Sequence, residues 1–252
     1  RGVVIEWPVN AQCCNTLGCG DCLFFLNNSL MVGLTLLYPP DSSLHFSHVA
    51  GCRIGTDGYE VLAEPHFDLL SLYTSGQMGP GNVLAARGGF SLMDIPYGAM
   101  EIFDNFLGYD PLTRRVLSDE PQYGILSRGS VDVYGNVFGA FSVGVQGNDG
   151  TATIRDNFVG MGPDGTRMTT GYRGIFATGV SGAALTVGPG NVVTGTEQVV
   201  FVTAGLLMSV TRNSFFGNAG GILNPGSPSP PTIVTATRTG LSGTCTAAGT
   251  VE

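Results

Sequence analysis

Short runs of alternating apolar and polar residues recur along the chain, each bounded by glycine, asparagine or aspartate. Ala99-Met100-Glu101-Ile102-Phe103, Val131-Asp132-Val133-Tyr134, Thr151-Ala152-Thr153-Ile154 and Ser209-Val210-Thr211 are of this kind. A period of two over a few residues predicts β-strands, because successive side chains on a strand point to opposite faces. No stretch carries a long stripe at helical spacing. The pattern therefore predicts an all-β chain.

The strands are punctuated by repeats. Gly79-Pro80-Gly81-Asn82-Val83 returns intact as Gly188-Pro189-Gly190-Asn191-Val192. An Asn-aromatic-aliphatic-Gly motif occurs as Asn105-Phe106-Leu107-Gly108 and Asn157-Phe158-Val159-Gly160, with looser copies at Asn136-Val137-Phe138-Gly139 and Asn213-Ser214-Phe215-Phe216-Gly217. Ile54-Gly55-Thr56-Asp57-Gly58 reads as an earlier member. Asn82 to Asn105 is 23 residues, Asn136 to Asn157 is 21 and Asn191 to Asn213 is 22, whereas the gaps between these pairs are 31 and 34. A base period near 22 with an insertion of about ten residues on alternate repeats fits a solenoid of three short strands and three turns per coil. Asparagine suits a coil corner because it tolerates left-handed backbone angles and bonds locally to main chain. Stacked at equivalent corners, Asn82, Asn105, Asn136, Asn157, Asn191 and Asn213 would form an amide ladder, with the following phenylalanines inside or beside it. A single coil cannot bury its inner face, so stability would come from stacking on neighbours.

These motifs resemble the parallel β-helix repeat proteins of bacterial secreted and surface polypeptides, where Asn-Phe-Ile-Gly-Thr-Asp-like runs alternate with Gly-Asn-Val-Ile-like ones. The resemblance spans about Val49 to Asn224 and implies a right-handed parallel β-helix solenoid. It implies no single activity, since that family holds lyases, hydrolases, adhesins and inert spacers. The expected organisation is a Cys-rich N-terminal cap or first coil over 1–46, the parallel β-helix over 47–224, a Pro-rich linker over 225–231 and a C-terminal β extension over 232–252. The last segment reads as the start of a β-sandwich module, and the chain as a piece of a larger protein. The Leu23–Tyr38 region, broken by Asn27-Asn28-Ser29, is too short to span a bilayer and reads as two buried strands.

Composition narrows the partners. Charged residues are only 12% of the chain, lysine is absent, and 19 acids face 11 arginines for a net charge of −8. Nucleic acid and anionic membranes are disfavoured, because binding to both depends on cationic side chains. Six cysteines, Cys13, Cys14, Cys19, Cys22, Cys52 and Cys245, suit disulfides of undetermined pairing and an extracellular or cell-surface location. The rivals are free thiols and a zinc site using the Cys19-x-x-Cys22 spacing, which lacks a second such pair.

Catalytic chemistry is sparse. No Asp-Asp pair, Gly-His-Gly, Walker loop or serine elbow occurs. His45, His48 and His66 lie near the N-terminus with no ligand spacing. The best constellation for a polysaccharide lyase is Asp104, Asp110, Arg114 and Arg115, with Asp119 and Glu120, on the long loop after the first strict motif. Its bland reading is a solvated charged loop. Asp149 and Asp164 have turn chemistry that needs no calcium, and the denser Asp-x-Asp pattern of calcium loops is missing. The expectation is a non-catalytic structural or adhesive β-helix without a cofactor, with bound calcium as the alternative. Its partners would be other modules of the same polypeptide or copies in an extracellular assembly. A carbohydrate-active or carbohydrate-binding domain, with polysaccharide as partner, is the alternative.

Overall fold

The computed structural model describes residues 4–6, 14–15, 18–19, 22–37, 42–61, 68–72, 75–88, 90–117, 123–139, 142–147, 151–168, 173–179, 184–202, 207–223, 232–237 and 240–244. Regular structure among them is entirely β. From Asp68 onward the chain repeats one itinerary, laying a strand in each of three parallel ribbons before returning to the first.

The first ribbon runs Asp68–Leu72, Ser91–Ile95, Tyr123–Ser127, Ser142–Gly147, Arg173–Gly179, Gln198–Val202 and Ile222–Leu223. The second runs Gly76–Met78, Ala99–Phe103, Ser130–Tyr134, Thr151–Arg155, Ala184–Val187 and Leu207–Val210. The third is a sheet of nine strands headed by Val4–Glu6, Thr35–Leu37, Arg53–Ile54 and Val83–Leu84. It continues through Phe106–Leu107, Val137–Phe138, Phe158–Val159, Val192–Thr194 and Ser214–Phe216. First and second ribbons fuse at Ser42–Ala50, whose opening half pairs with Asp68–Leu72 and whose closing half pairs with Gly76–Met78. The boundary expected at 46/47 thus falls inside a strand. Strands on its N-terminal side, among them Cys22–Val32 beside Ser42–Ala50, already belong to the stack.

Period two explains the core. In the third ribbon Ile54, Leu84, Leu107, Phe138, Val159 and Val193 stand in one register row and are fully buried. The same cluster takes Met93, Ile125, Ile175 and Val200 from the first ribbon and Met78, Ile102, Val133, Ile154 and Val187 from the second. Apolar side chains from all three ribbons therefore join one core cluster. Truncating such a residue to alanine costs about 2–5 kcal/mol. Phe106 and Phe158 lie in the opposite, outward row of the third ribbon. They pack beside the ladder's ribbon on its outer side, not in the interior.

Thr232–Thr237 and Gly240–Thr244 pair antiparallel with each other and, among the described residues, with no other strand. The linker 225–231 lies outside the described residues.

Candidate functional site

The corner between the second and third ribbons decides how most of the polar side chains are used. After each strand of the second ribbon the chain passes a left-handed position, and the ladder residue directly follows that position. Glycine fills that position at Gly51, Gly81, Gly135 and Gly190, but Asp104, Asp156 and Arg212 adopt it with φ of 52°, 55° and 52°. The turn places the next side chain inside. Asn82, Asn105, Asn136, Asn157 and Asn191 are all 0% exposed.

Asn136 shows the unit. Its Nδ2 donates to Asn157 Oδ1 at 3.1 Å, to Ile102 O at 2.9 Å and to Tyr134 O at 2.9 Å. Its Oδ1 accepts from Asn105 N and from Asn105 Nδ2, both at 3.0 Å. The same links join Asn82 to Asn105, Asn157 to Asn191 and Asn191 to Asn213. The expected six-residue ladder is continuous.

Cys52 is a correction. Expected in a disulfide, it is a buried free thiol standing in the ladder's own frame, after Gly51 and before Arg53-Ile54. Its backbone N donates to Asn82 Oδ1 at 2.9 Å, and its Sγ lies 3.3 Å from Ala50 O and 3.7 Å from Met31 O. Burial pushes the thiol's pKa up against the lowering effect of nearby backbone groups. The clue was local: Gly51-Cys52-Arg53-Ile54 repeats the frame of Gly81-Asn82-Val83-Leu84. A second, shorter ladder, not expected, joins Thr196 to Asn218 through Thr196 N and Oγ1, each donating to Asn218 Oδ1 at 3.0 Å.

The insertions form a rack of three hairpins over the outer row of the third ribbon. The first spans 55–61, bridged at Thr56 and Val61. The second spans 108–117, where Tyr109-Asp110 pairs antiparallel with Arg115-Val116. The third spans 160–168, bridged at Met161 and Arg167. An aspartate organises each turn. Asp57 Oδ1 accepts from Tyr59 N and Glu60 N, Asp110 Oδ1 from Leu112 N and Thr113 N, and Asp164 Oδ1 from Thr166 N. This is the local bonding for which aspartate is favoured in turns. Arg53 Nη1 donates to Asp110 Oδ2 at 2.6 Å, and Thr113 Oγ1 donates to Gly58 O at 3.0 Å. Arg114 Nε lies 3.8 Å from Asp164 Oδ2. Val61, Val83, Ala85 and Leu117 pack together under the first two hairpins, and Tyr109, Val137 and Met168 under the second and third.

Of the catalytic candidates, Asp104 and Asp110 have structural partners. Asp104 is a ladder corner, with Gly135 so close to its carboxylate that a Cβ there would collide. Asp110 stands beyond the other end of Phe106–Leu107, buried and engaged by Arg53. Burial pushes the Asp110 carboxyl up, but the bonds and charge from Arg53 with the Leu112 and Thr113 amides outweigh it. The net result is a carboxyl below its ordinary value. Arg114 and Arg115 are exposed on the hairpin. Asp119, Glu120, Asp149 and His66 lie outside the described residues, as do the side chains of His45 and the N-terminal cysteines.

Charge on the outer faces also binds rung to rung. On the second ribbon Gln77 Nε2 donates to Glu101 Oε2 at 2.7 Å, Tyr134 Oη donates to Glu101 Oε1, and Arg155 Nη2 donates to Asp132 Oδ2 at 3.0 Å. His48 Nδ1 lies 3.1 Å from Gln77 Oε1. Phe103 stacks on Tyr134, and the Arg155 guanidinium sits 3.9 Å from that ring's centre. The hydrogen bond to Glu101 pushes the Tyr134 phenol up to about 12 and, with Gln77, holds the Glu101 carboxyl below its usual range. On the first ribbon the Asp94 carboxyl is pushed up by burial, against the charge of Arg128 and with that of Asp68. Arg128 occupies both its oxygens at 2.9 and 3.0 Å, so neither is placed to deliver a proton to a substrate. Tyr123, Phe176 and Phe201 stack across the strands beside it, with Arg173 over the last two rings.

Acid–base hydrolysis of glycosides needs a proton-donating carboxyl beside an ionised one; on the first ribbon the charge of Asp68 adds to the burial that raises Asp94, while Arg128 holds both Asp94 oxygens. Among the described residues, no three His, Cys, Asp or Glu side chains gather where they could hold a metal ion. No described helix is long and apolar enough to cross a membrane. Comparison with known proteins found no matching family model, no matching curated protein and no matching solved structure.

Proposed function

We propose that the three ribbons close on one another as a right-handed parallel β-helix, and that the chain is a non-catalytic structural or adhesive stretch of a larger secreted or cell-surface protein. The hand follows from parallel strands joined by crossover connections, which are right-handed in nearly all known sheets. One observation carries the functional reading. The buried carboxylate of the expected catalytic loop, Asp110, has one oxygen on Arg53 and the other on two turn amides. The polar chemistry of this chain goes into rigidity. A stack whose side chains bond rung to rung suits a spacer or a platform for adjoining modules. An oxidising location accords with the backbone register that sets Cys14 opposite Cys19 in a two-stranded pair.

The test is depolymerisation of a polysaccharide panel at several pH values, with and without added calcium. The expected outcome is no turnover under any condition. Turnover that disappears on Asp110→Asn or Arg114→Ala, with the fold intact by circular dichroism, would establish the carbohydrate-active alternative instead.

A further inference from the structure

The hairpin rack holds apolar groups outward on a rigid support. Tyr59 is 63% exposed, Leu112 82% and Val116 42%, all on the first two hairpins. Their positions are fixed by the Arg53–Asp110 pair, the Thr113–Gly58 bond and the small core beneath. Exposed single side chains are ordinary on protein surfaces, whereas anchors on a pre-ordered support avoid the ordering cost that weakens binding.

Charge says what these anchors would meet. Exposed Asp57 and Glu60 flank Tyr59 on the first hairpin, and exposed Arg114 and Arg115 follow Leu112 on the second. The rack is thus acidic at one tip and basic at the next, two coils along the stack, where Asp164 of the third hairpin offsets part of the charge from 3.8 Å beside Arg114. Such a surface complements itself when turned by a two-fold axis lying between the two hairpins. In an isologous contact the first hairpin of each copy faces the second hairpin of the other. Tyr59 then meets the partner's Leu112, and Asp57 and Glu60 meet the partner's Arg114 and Arg115.

The geometry points to this rack as a dimerisation surface for a second copy of the chain. The inference goes beyond the scaffold reading and does not rest on it, because the rack would pair identically on an enzyme.

Sedimentation velocity on the full chain, from low micromolar to sub-millimolar concentration, tests it. The wild type is expected to show a concentration-dependent monomer–dimer equilibrium, and Leu112→Asp to remain monomeric. Arg114→Glu/Arg115→Glu is expected to weaken association by about tenfold or more. Adding Glu60→Arg to that variant, with Asp57 left to hold its turn, restores attraction between tips and should recover part of the association. The substituted side chains are exposed, and the three-site variant guards against a loss of association through misfolding. A wild type monomeric throughout the range, or a dimer indifferent to Leu112→Asp and to charge reversal, overturns the proposal.

Discussion

Asn136→Ala is expected to lower the unfolding free energy by about 3–5 kcal/mol, a large part of the stability of an ordinary domain. The substitution removes five hydrogen bonds made by a fully buried side chain. It strands the Asn105 N–H, whose acceptor is Asn136 Oδ1, at a fully buried residue. A buried donor left unmatched costs more than the bond contributed while it existed. The ladder's last residue supplies the control. Asn213 also bonds to Asn191 and to two carbonyls, but it is only partly buried. Water can replace what Asn213→Ala removes, and the expected loss is about 1 kcal/mol. Urea unfolding of both variants measures the contrast. Equal losses at the two positions would mean that the asparagines serve only as local corner residues.

The second large effect lies in the rack. Arg53→Ala is expected to cost about 3 kcal/mol or more at neutral pH, because Asp110 stays buried as a charge without its counter-ion. Its side chain is 0% exposed against 22% for Arg53. Replacing both at once, as Arg53→Met/Asp110→Leu, should recover much of that loss, since apolar groups leave no buried charge behind. The pH dependence has a definite sign. The Asp110 carboxyl is held below its ordinary value, so the folded state binds its proton less readily than the unfolded chain does. Its contribution is complete above the unfolded value of about 3.9 and is lost as pH falls through the folded one. Asp57 and Glu101, also held low, act in the same direction; Asp94, held high by burial, opposes them. Unfolding followed from pH 5 downward should show wild-type stability falling, with a shallower slope in Asp110→Asn.

The sequence disclosed the stack because its signal is periodic and chemically distinctive. Few residues suit a left-handed corner beside a buried amide, so a 21- to 23-residue asparagine register leaves little freedom. The length of the insertions was legible for the same reason, as extra residues between Asn105 and Asn136 and between Asn157 and Asn191. Side-chain parity was harder. The corner before each asparagine resets which face the next residue takes, and so Phe106 and Phe158 lie outside rather than within. Asp110 looked catalytic because its partner, Arg53, lies 57 residues away, where no local pattern connects them. Cys52 was grouped with the other cysteines by residue type, although its frame marked it as a ladder position. The Glu101–Tyr134–Arg155 face is not legible in the sequence, because strand alternation gives the side a residue occupies and not its neighbour across the sheet.

Side-chain amide NMR addresses the stack most directly. If the strands pile as described, nuclear Overhauser contacts should run from each ladder amide to the next, Asn82 to Asn105, Asn136, Asn157, Asn191 and Asn213 in order. The interior amides should also resist exchange with deuterium far longer than that of Asn213. Rapid exchange at Asn136 and Asn157, or contacts that skip or reverse the order, would contradict the stacked architecture and the scaffold role built on it.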